Sequence, residues 1–162
     1  MQTMTRIDVQ IEEANLADAA EILALQKLAY ISEAEAINDF TIAPLHQTRE
    51  EIQIEFENQV FLKVVREGKI VASVRGYVQS GTCYIGKLIV HPLAQNQGIG
   101  TRLLQAIEER FADAQRFELF TGWKSMKNLY LYEKLGYERF KEVRVSEKLT
   151  LIYLQKFNEK NL

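Results

Sequence analysis

Residues 95–100, with the sequence QNQGIG, form the segment whose residue types best suit the binding of an anion. Gly98 and Gly100 let the backbone approach a ligand closely, because glycine has no Cβ atom. Apolar residues then recur every four positions across 99–111, which predicts an amphipathic helix. The first turn of such a helix exposes free N–H groups at the positive end of its dipole. A glycine-containing turn that leads into a helix therefore predicts a site for phosphate or pyrophosphate.

Two common phosphate-binding motifs are excluded by the residues that follow the turn. A P-loop ends in Gly-Lys-Ser/Thr, whereas Gly100, Thr101 and Arg102 include no lysine. A Rossmann dinucleotide motif needs a third glycine three residues after the second, and Leu103 stands at that position. A different class of protein must therefore account for the turn.

The turn and its surroundings resemble the GNAT superfamily of N-acetyltransferases. QNQGIG is similar to that family's acyl-CoA pyrophosphate motif, Gln/Arg-x-x-Gly-x-Gly/Ala, and the preceding LIVHP resembles its fourth strand. LYLYEKLGY, at 129–137, is similar to the family's Leu-Tyr-x-Lys-x-Gly-Phe signature. The resemblance covers nearly the whole chain, although only these two stretches are specific. It implies acetyl-CoA as cosubstrate, no metal, and transfer of the acetyl group to a primary amine of a small molecule or peptide.

The resemblance also assigns the cofactor to particular residues. The pantetheine arm is expected along the backbone of the fourth strand, where the amide of Leu88 is the catalytic candidate that stabilises the oxyanion. Asn128 is expected to hydrogen-bond the pantetheine, although Ser125 occupies the position where the family commonly has asparagine. The cofactor-binding candidates are Leu88, Ile89, Val90, Gln95, Asn96, Gln97, Gly98, Ile99, Gly100, Thr101 and Asn128.

Tyr132 is the catalytic candidate for donating a proton to the departing thiolate, the part that the family's tyrosine in this motif plays. A tyrosine with a pKa of about 10 stays protonated at neutral pH and can donate to a thiolate of similar basicity. The alternative interpretation is a helix tyrosine packed beside Leu129 and Leu135.

The general base and the acceptor site are less well defined. Many relatives carry glutamate before the leucine of the fourth strand, whereas this chain has Lys87, which cannot act as a base when charged. The segment 31–45 is predicted as a short helix and a loop above the acceptor site. Its substrate-binding candidates are Glu33, Glu35, Asn38 and Asp39, and the acidic ones suit a cationic amine. A water relay is an equal alternative to a carboxylate base. His91 is expected to be structural, and His46 is expected to be exposed.

Two classes of function fit these residues. The first is an N-acetyltransferase, which the presence of Tyr132 favours. The second is a non-catalytic acyl-CoA-binding or regulatory module of the same fold, which Lys87 in place of glutamate favours.

The elements that must position these residues are predicted from apolar periodicity, caps and turns. They are a strand at 7–11, a helix from Asn15 to about Tyr30, a helix capped by Thr48 and Glu51, strands at 60–65, 70–78 and 83–91, the helix at 99–111, a strand at 117–120, a helix at 125–135, and strands at 143–145 and 149–154. This order predicts a single α/β domain over 1–162 with a mixed, mostly antiparallel sheet. The resemblance implies the GNAT (acyl-CoA N-acyltransferase) fold, with helices on both faces and splayed fourth and fifth strands.

Composition limits the partners of the chain. With 162 residues, 47% hydrophobic residues and a net charge of −2, nothing points to nucleic acid or an anionic membrane. The single cysteine, Cys83, excludes an internal disulfide and is expected in the core. No signal pattern or membrane-spanning run is present, so a cytoplasmic location is expected. A homodimer paired through the aromatic C-terminal strands is compatible with the resemblance.

Overall fold

The computed structural model describes residues 9–161, in which seven strands form one sheet. The strands are β1 (Ile11–Glu13), β2 (Val60–Arg66), β3 (Lys69–Gln79), β4 (Thr82–Val90), β5 (Arg116–Gly122), β6 (Glu138–Arg144) and β7 (Thr150–Phe157). The helices are α1 (Ala19–Ile37), α2 (Ala43–His46), α3 (Arg49–Asn58), α4 (Ile99–Arg110) and α5 (Met126–Lys134). The spatial order is β1-β2-β3-β4-β5-β7-β6, and β4 with β5 is the parallel pair among otherwise antiparallel neighbours. The prediction of a mixed, mostly antiparallel sheet is confirmed.

Helices pack on both faces of this sheet because each presents one apolar stripe. The predicted stripe of α4 lies against the larger core, where Leu103 and Ile107 are fully buried beside residues of α5 and the strands. Helices α1 and α3 cover the other face through Ile22 and Ile52, which are also fully buried. Cys83 lies in the larger core, as expected, and burial raises the pKa of its thiol to about 12.

The fourth and fifth strands separate after a short parallel pairing. β4 pairs with β5 only from Thr82 to Tyr84, so the rest of β4 leaves an open cleft toward β5. On its other side, β4 has one extra residue relative to β3 between the pairs Arg75–Gly86 and Ser73–Ile89. Such an extra residue is a β-bulge, which bends the strand. The expected splaying of these two strands is therefore confirmed.

Local turn and cap predictions are confirmed where the sequence carried a specific signal. Thr48 and Glu51 form a capping box at the start of α3. The β2–β3 hairpin turns at Glu67 and Gly68, both with positive φ. Asn15 accepts a hydrogen bond from Ala17 N–H and so caps the short 3₁₀ turn before α1.

Three predicted element boundaries differ clearly from those in the structure. Helix α1 continues seven residues beyond Tyr30, because Ala34 and Ile37 extend its buried face and alanine and glutamate favour helix. The predicted first strand begins only at Ile11; Val9 lies outside it, and Ile7 lies outside the described residues. Strand β6 begins five residues before the predicted 143–145, and every residue of this edge strand is exposed, so no alternation marked it. None of the helices in 9–161 is long and apolar enough to span a membrane.

Candidate active site

A cavity of about 590 Å³ opens where α1, the end of β4, the glycine turn and the start of α5 meet. Its wall includes residues from all four elements, which are far apart in sequence. The predicted cofactor residues that line it are Leu88, Ile89, Val90, Gln95, Asn96, Gly98, Ile99, Gly100, Thr101 and Asn128. The structure thus places ten of the cofactor-binding candidates around one space.

The glycine turn presents unpaired donors to this cavity. Helix α4 begins without a side-chain cap, so the N–H groups of its first turn have no acceptor within the helix. Gly98 precedes the helix in the left-handed conformation, with φ of 82°, and a Cβ added there would meet no atom within 4 Å. Open space beside Gly98 therefore allows a ligand to approach the free amides. At Gly100, a Cβ would lie 3.4 Å from the Leu131 side chain, so this glycine permits close packing between α4 and α5.

The end of β4 supplies a second row of backbone groups. Beyond Tyr84 the strand has no β5 partner in the described chain, which leaves its cleft-facing edge unpaired. Lys87 lies at the bulge with φ of 43°, a conformation that non-glycine residues adopt rarely. The bulge directs the backbone that follows, including Leu88, along the cleft. These observations fit a pantetheine-like chain that pairs with a strand edge.

Glu33 enters the cavity from α1 and contacts the start of α5. Its Oε1 accepts hydrogen bonds from Ser125 Oγ at 2.5 Å and from Asn128 Nδ2 at 3.4 Å. Asn128 also donates to Thr121 Oγ1, at the end of β5, at 3.2 Å. Burial raises the pKa of Glu33, and the hydrogen bond from Ser125 opposes that shift only partly. Three elements are joined here through one carboxylate.

Tyr132 lies on α5 beneath this cluster, and its side chain is only 4% exposed. It does not line the cavity. Burial raises the pKa of Tyr132 above its ordinary value, so the phenol stays protonated at neutral pH. Such a group can donate a hydrogen bond and cannot act as a base.

Besides Tyr132, four of the predicted site residues do not line the cavity. Gln97 accepts a hydrogen bond from Arg66 Nη1 at 2.6 Å. Glu35 is exposed, and Asn38 ends α1 in the left-handed conformation. Asp39 accepts hydrogen bonds from Thr41, which holds its pKa below the ordinary value. Of the predicted substrate residues, only Glu33 reaches the cavity.

The cavity also contains residues that sequence reasoning did not select. Tyr30 lies one helical turn before Glu33, and this i,i+3 spacing was the available signal once α1 extends to Ile37. Ser125, Lys124 and Lys127 line the cavity at the start of α5. Ser125 stands where the family commonly has asparagine, whereas no motif in the sequence marked the two lysines.

Lys87, which stands where the resemblance implies a glutamate, lies near a carboxylate of α3. Its Nζ lies 3.9 Å from Glu55 Oε1, and it does not line the cavity. Burial and then the charge of Arg75 lower the pKa of Lys87, which Glu55 partly offsets. The two histidines are as expected: His91 Nδ1 accepts from Leu93 N–H at 3.0 Å and stabilises the loop, and His46 is exposed.

The family of the chain follows from comparison with known proteins. Residues 24–137 match the model of the Acetyltransferase (GNAT) family. The chain therefore belongs to the GNAT acetyltransferase family.

Two curated relatives come from Bacillus subtilis (strain 168). The chain is 31% identical over 143 residues to the UPF0157 protein YqkA, which covers 88% of this chain and 40% of that protein. It is 31% identical over 80 residues to the uncharacterized protein YdhI, covering 48% of this chain and 49% of YdhI. The chain spans about half or less of the length of these curated relatives.

Two solved structures share the fold at low sequence identity. The ribosomal-protein-S18-alanine N-acetyltransferase from Escherichia coli superposes with a TM-score of 0.76 at 15% identity, covering 93% of this chain and 94% of that one. The PaiA N-acetyltransferase from Thermoplasma acidophilum, in complex with coenzyme A, gives 0.77 at 11% identity, covering 93% and 99%. The GNAT fold expected from the sequence is confirmed.

Proposed function

We propose that this protein is an N-acetyltransferase that transfers the acetyl group of acetyl-CoA to a primary amine of a small molecule or peptide. The observation that carries the proposal is one cavity that joins three features. These are the free amides before α4, the unpaired edge of β4, and a carboxylate held by α5. Membership of the GNAT family supports the same reaction class.

The residues around the cavity fit acetyl-CoA. The amides of the first turn of α4 would hold its pyrophosphate, with the space beside Gly98 admitting the phosphates. Lys124 and Lys127, at the same cavity, add positive charge that complements this anion. The free edge of β4 would hold the pantetheine by backbone hydrogen bonds. When bound, acetyl-CoA supplies an activated acyl group.

The chain's own groups then have three tasks. An amide at Leu88 on the unpaired edge of β4 would donate to the acetyl oxygen as negative charge develops there. Tyr132, kept protonated by burial, would supply a proton to the departing sulfur, either directly or through a short relay. Glu33 gives the cavity a negative group that would attract a cationic amine.

The test combines turnover with a cofactor-site variant. Release of the CoA thiol would be followed with a thiol reagent while polyamines, aminoglycosides, amino acids and peptide N-termini are offered as acceptors. We expect amine-dependent release with at least one class. In parallel, calorimetry should show that Gly98→Asp lowers acetyl-CoA affinity at least tenfold, because it places a carboxylate beside the pyrophosphate in a left-handed position (roughly 1.4 kcal/mol).

Two results would contradict the proposal in different ways. Normal acetyl-CoA affinity in Gly98→Asp would remove the pyrophosphate site from the turn. Tight acetyl-CoA binding by the unmodified protein without release for any amine would favour the non-catalytic module, which Lys87 at the usual glutamate position suggests. Gly68→Asp, in the distant β2–β3 turn, is the matched control, because Gly68 also has positive φ and open space around it.

A further inference from the structure

Glu33 is the single carboxylate among the described residues that line the cavity, and no histidine lines it. The other ionisable groups around the space are two lysines and two tyrosines, Lys124, Lys127, Tyr30 and Tyr130. Protonated lysines cannot accept a proton, and burial raises the pKa of Tyr30, so it stays a phenol. Only one side chain at this site is therefore equipped to take a proton at neutral pH.

Residues elsewhere do not offer a better proton acceptor. Lys87 lies outside the cavity and is 3.9 Å from Glu55. His91 uses its Nδ1 to accept from the backbone of Leu93. Glu35 is exposed on α1 and does not line the cavity.

We propose that Glu33 is the general base that removes a proton from the ammonium group of the acceptor. This inference rests on the proposed function and names the group that the sequence left open. Its carboxylate is oriented by Ser125 Oγ and Asn128 Nδ2, which both donate to Oε1. The second oxygen accepts no hydrogen bond from these two residues and lies beside Gly122 at the end of β5, and it is the atom that would receive the proton of the amine.

The proton balance of the step is complete without another reactant. The ammonium gives one N–H proton to Glu33, and the neutral amine forms a C–N bond with the acetyl carbon. The C–S bond breaks, and its electron pair leaves on sulfur. Tyr132 gives its proton to the thiolate, and the second proton that the nitrogen loses as the amide forms restores the Tyr132 hydroxyl. Glu33 finally releases its proton to water, so one proton is produced for each acetyl group transferred.

The physical reason for a half-buried carboxylate here is its basicity. A base works best when its pKa lies near the working pH, and an ordinary glutamate is too weak to deprotonate an ammonium efficiently. Burial raises the pKa of Glu33 toward the useful range. The titratable groups near it are Tyr30 from its own helix and Tyr132 from α5, while Lys124 and Lys127 line the same cavity, with Lys124 Nζ donating to Ala36 O.

The test compares two amines of similar shape but different protonation. Ethylamine is an ammonium ion at pH 7 and needs a base, whereas 2,2,2-trifluoroethylamine is already neutral. In Glu33→Gln, acetylation of ethylamine should fall about 10²- to 10⁴-fold in kcat, the usual effect of one positioned base. Acetylation of trifluoroethylamine and affinity for acetyl-CoA should change little. The ethylamine deficit should shrink as pH rises, because bulk water then supplies neutral amine.

The controls separate catalysis from structure and from simple attraction. Glu57→Gln, at an exposed position of α3 that does not line the cavity, should behave as the unmodified protein. Glu33→Asp keeps a carboxyl group and should recover part of the ethylamine rate. Ser125→Ala removes the hydrogen bond that favours the ionised form, so the acid limb of the pH–rate profile should move to higher pH.

Three outcomes would overturn the assignment. Equal losses with both amines would indicate a structural role for Glu33. A raised KM for ethylamine with unchanged kcat would indicate attraction of the cation alone. If the unmodified protein acetylates neither amine nor any class in the wider screen, the proposed function fails, and this assignment fails with it.

Discussion

Two charged side chains are held against the central strands, and their environments are opposite. Arg75 on β3 is 1% exposed and has a charged partner, since its Nη1 lies 2.8 Å from Glu55 Oε1. Its Nη2 donates to Gln26 at 2.7 Å. Glu33 lines an open cavity and has only neutral donors, Ser125 and Asn128. The charge of Arg75 is neutralised by its partner, whereas the pKa of Glu33 stays raised.

The difference separates two groups of residues: those around Arg75 that hold the fold together, called the frame below, and those of the candidate site. The Arg75 cluster joins α1, α3 and β3, and Arg75 pairs with Gly86 of β4 directly beside the bulge. Breaking a buried pair is costly, because the remaining partner keeps an uncompensated charge. A lone half-buried carboxylate costs stability at neutral pH and is retained where reactivity is needed. Variants in the two regions should therefore affect different measurements.

The largest expected effect belongs to Tyr132, on the site side of the comparison. Tyr132→Phe removes the hydroxyl and keeps the packed ring, which lies 6.2 Å from the Tyr137 ring. Turnover with an identified acceptor should fall roughly 10²- to 10⁴-fold, with kcat and kcat/KM falling together. Acetyl-CoA affinity and melting temperature should stay close to those of the unmodified protein. Normal turnover would show that Tyr132 is only a core residue, and collapsed affinity would show that it shapes the cleft.

The second effect tests the frame. Arg75→Met removes the buried cation and its hydrogen bonds to Glu55 and Gln26, so that Glu55 keeps only Gln47 Nε2 and the more distant Lys87 Nζ. Because the Glu55 side chain is 19% exposed, we expect a loss of about 3 kcal/mol, the low end for a broken buried pair. That corresponds to a melting temperature lower by roughly 6–12 °C. Calorimetry would measure it, with Arg139→Met as control because the Arg139–Glu133 pair is about half exposed.

An Arg75→Met protein with an unchanged melting temperature would mean that the cluster does not hold the frame. If such a variant also loses turnover, Arg75 acts on the site through the bulge. Comparison with Lys87→Met would then be decisive, since Lys87 lies at the bulge and is 3.9 Å from the same carboxylate.

The contrast also shows what the sequence could predict. Backbone features could be predicted, because glycines, apolar periodicity and capping boxes are local signals in the sequence. Gly98, the α4 stripe and the Thr48 cap all agree with the structure. The contact between Glu33 and Ser125 could not be predicted. These residues are 92 positions apart, and their contact depends on how α1 packs against α5.

The errors have the same physical origin. The sequence predicts a separate short helix and a loop for 31–45 because the apolar pattern of α1 weakens after Tyr30, yet Ala34 and Ile37 still face a small core and continue α1. The buried Arg75 was not recognised at all, because a single arginine within an apolar strand carries no sign of the partners that neutralise it. Strand β6 lacked any buried face to reveal its full length.

The smallest predicted effect tests Glu33 without any substrate. Burial raises its pKa in the folded protein above that of the unfolded chain, which is about 4 for glutamate. Below that pH the carboxyl is protonated in both states, so it contributes no difference. As pH rises through the folded pKa, the folded state must ionise a half-buried group, and stability is lost. Glu33→Gln cannot ionise, so at pH 8 it should melt slightly above the unmodified protein.

This difference should shrink as pH falls and vanish near pH 4. Melting curves of the two proteins across that range would check the sign. If Glu33→Gln is less stable than the unmodified protein at pH 8, the charge of Glu33 stabilises the fold, as that of Arg75 does. If Glu33→Gln gains stability and also loses ethylamine acetylation, the Glu33 carboxylate serves catalysis and lowers the free energy of unfolding.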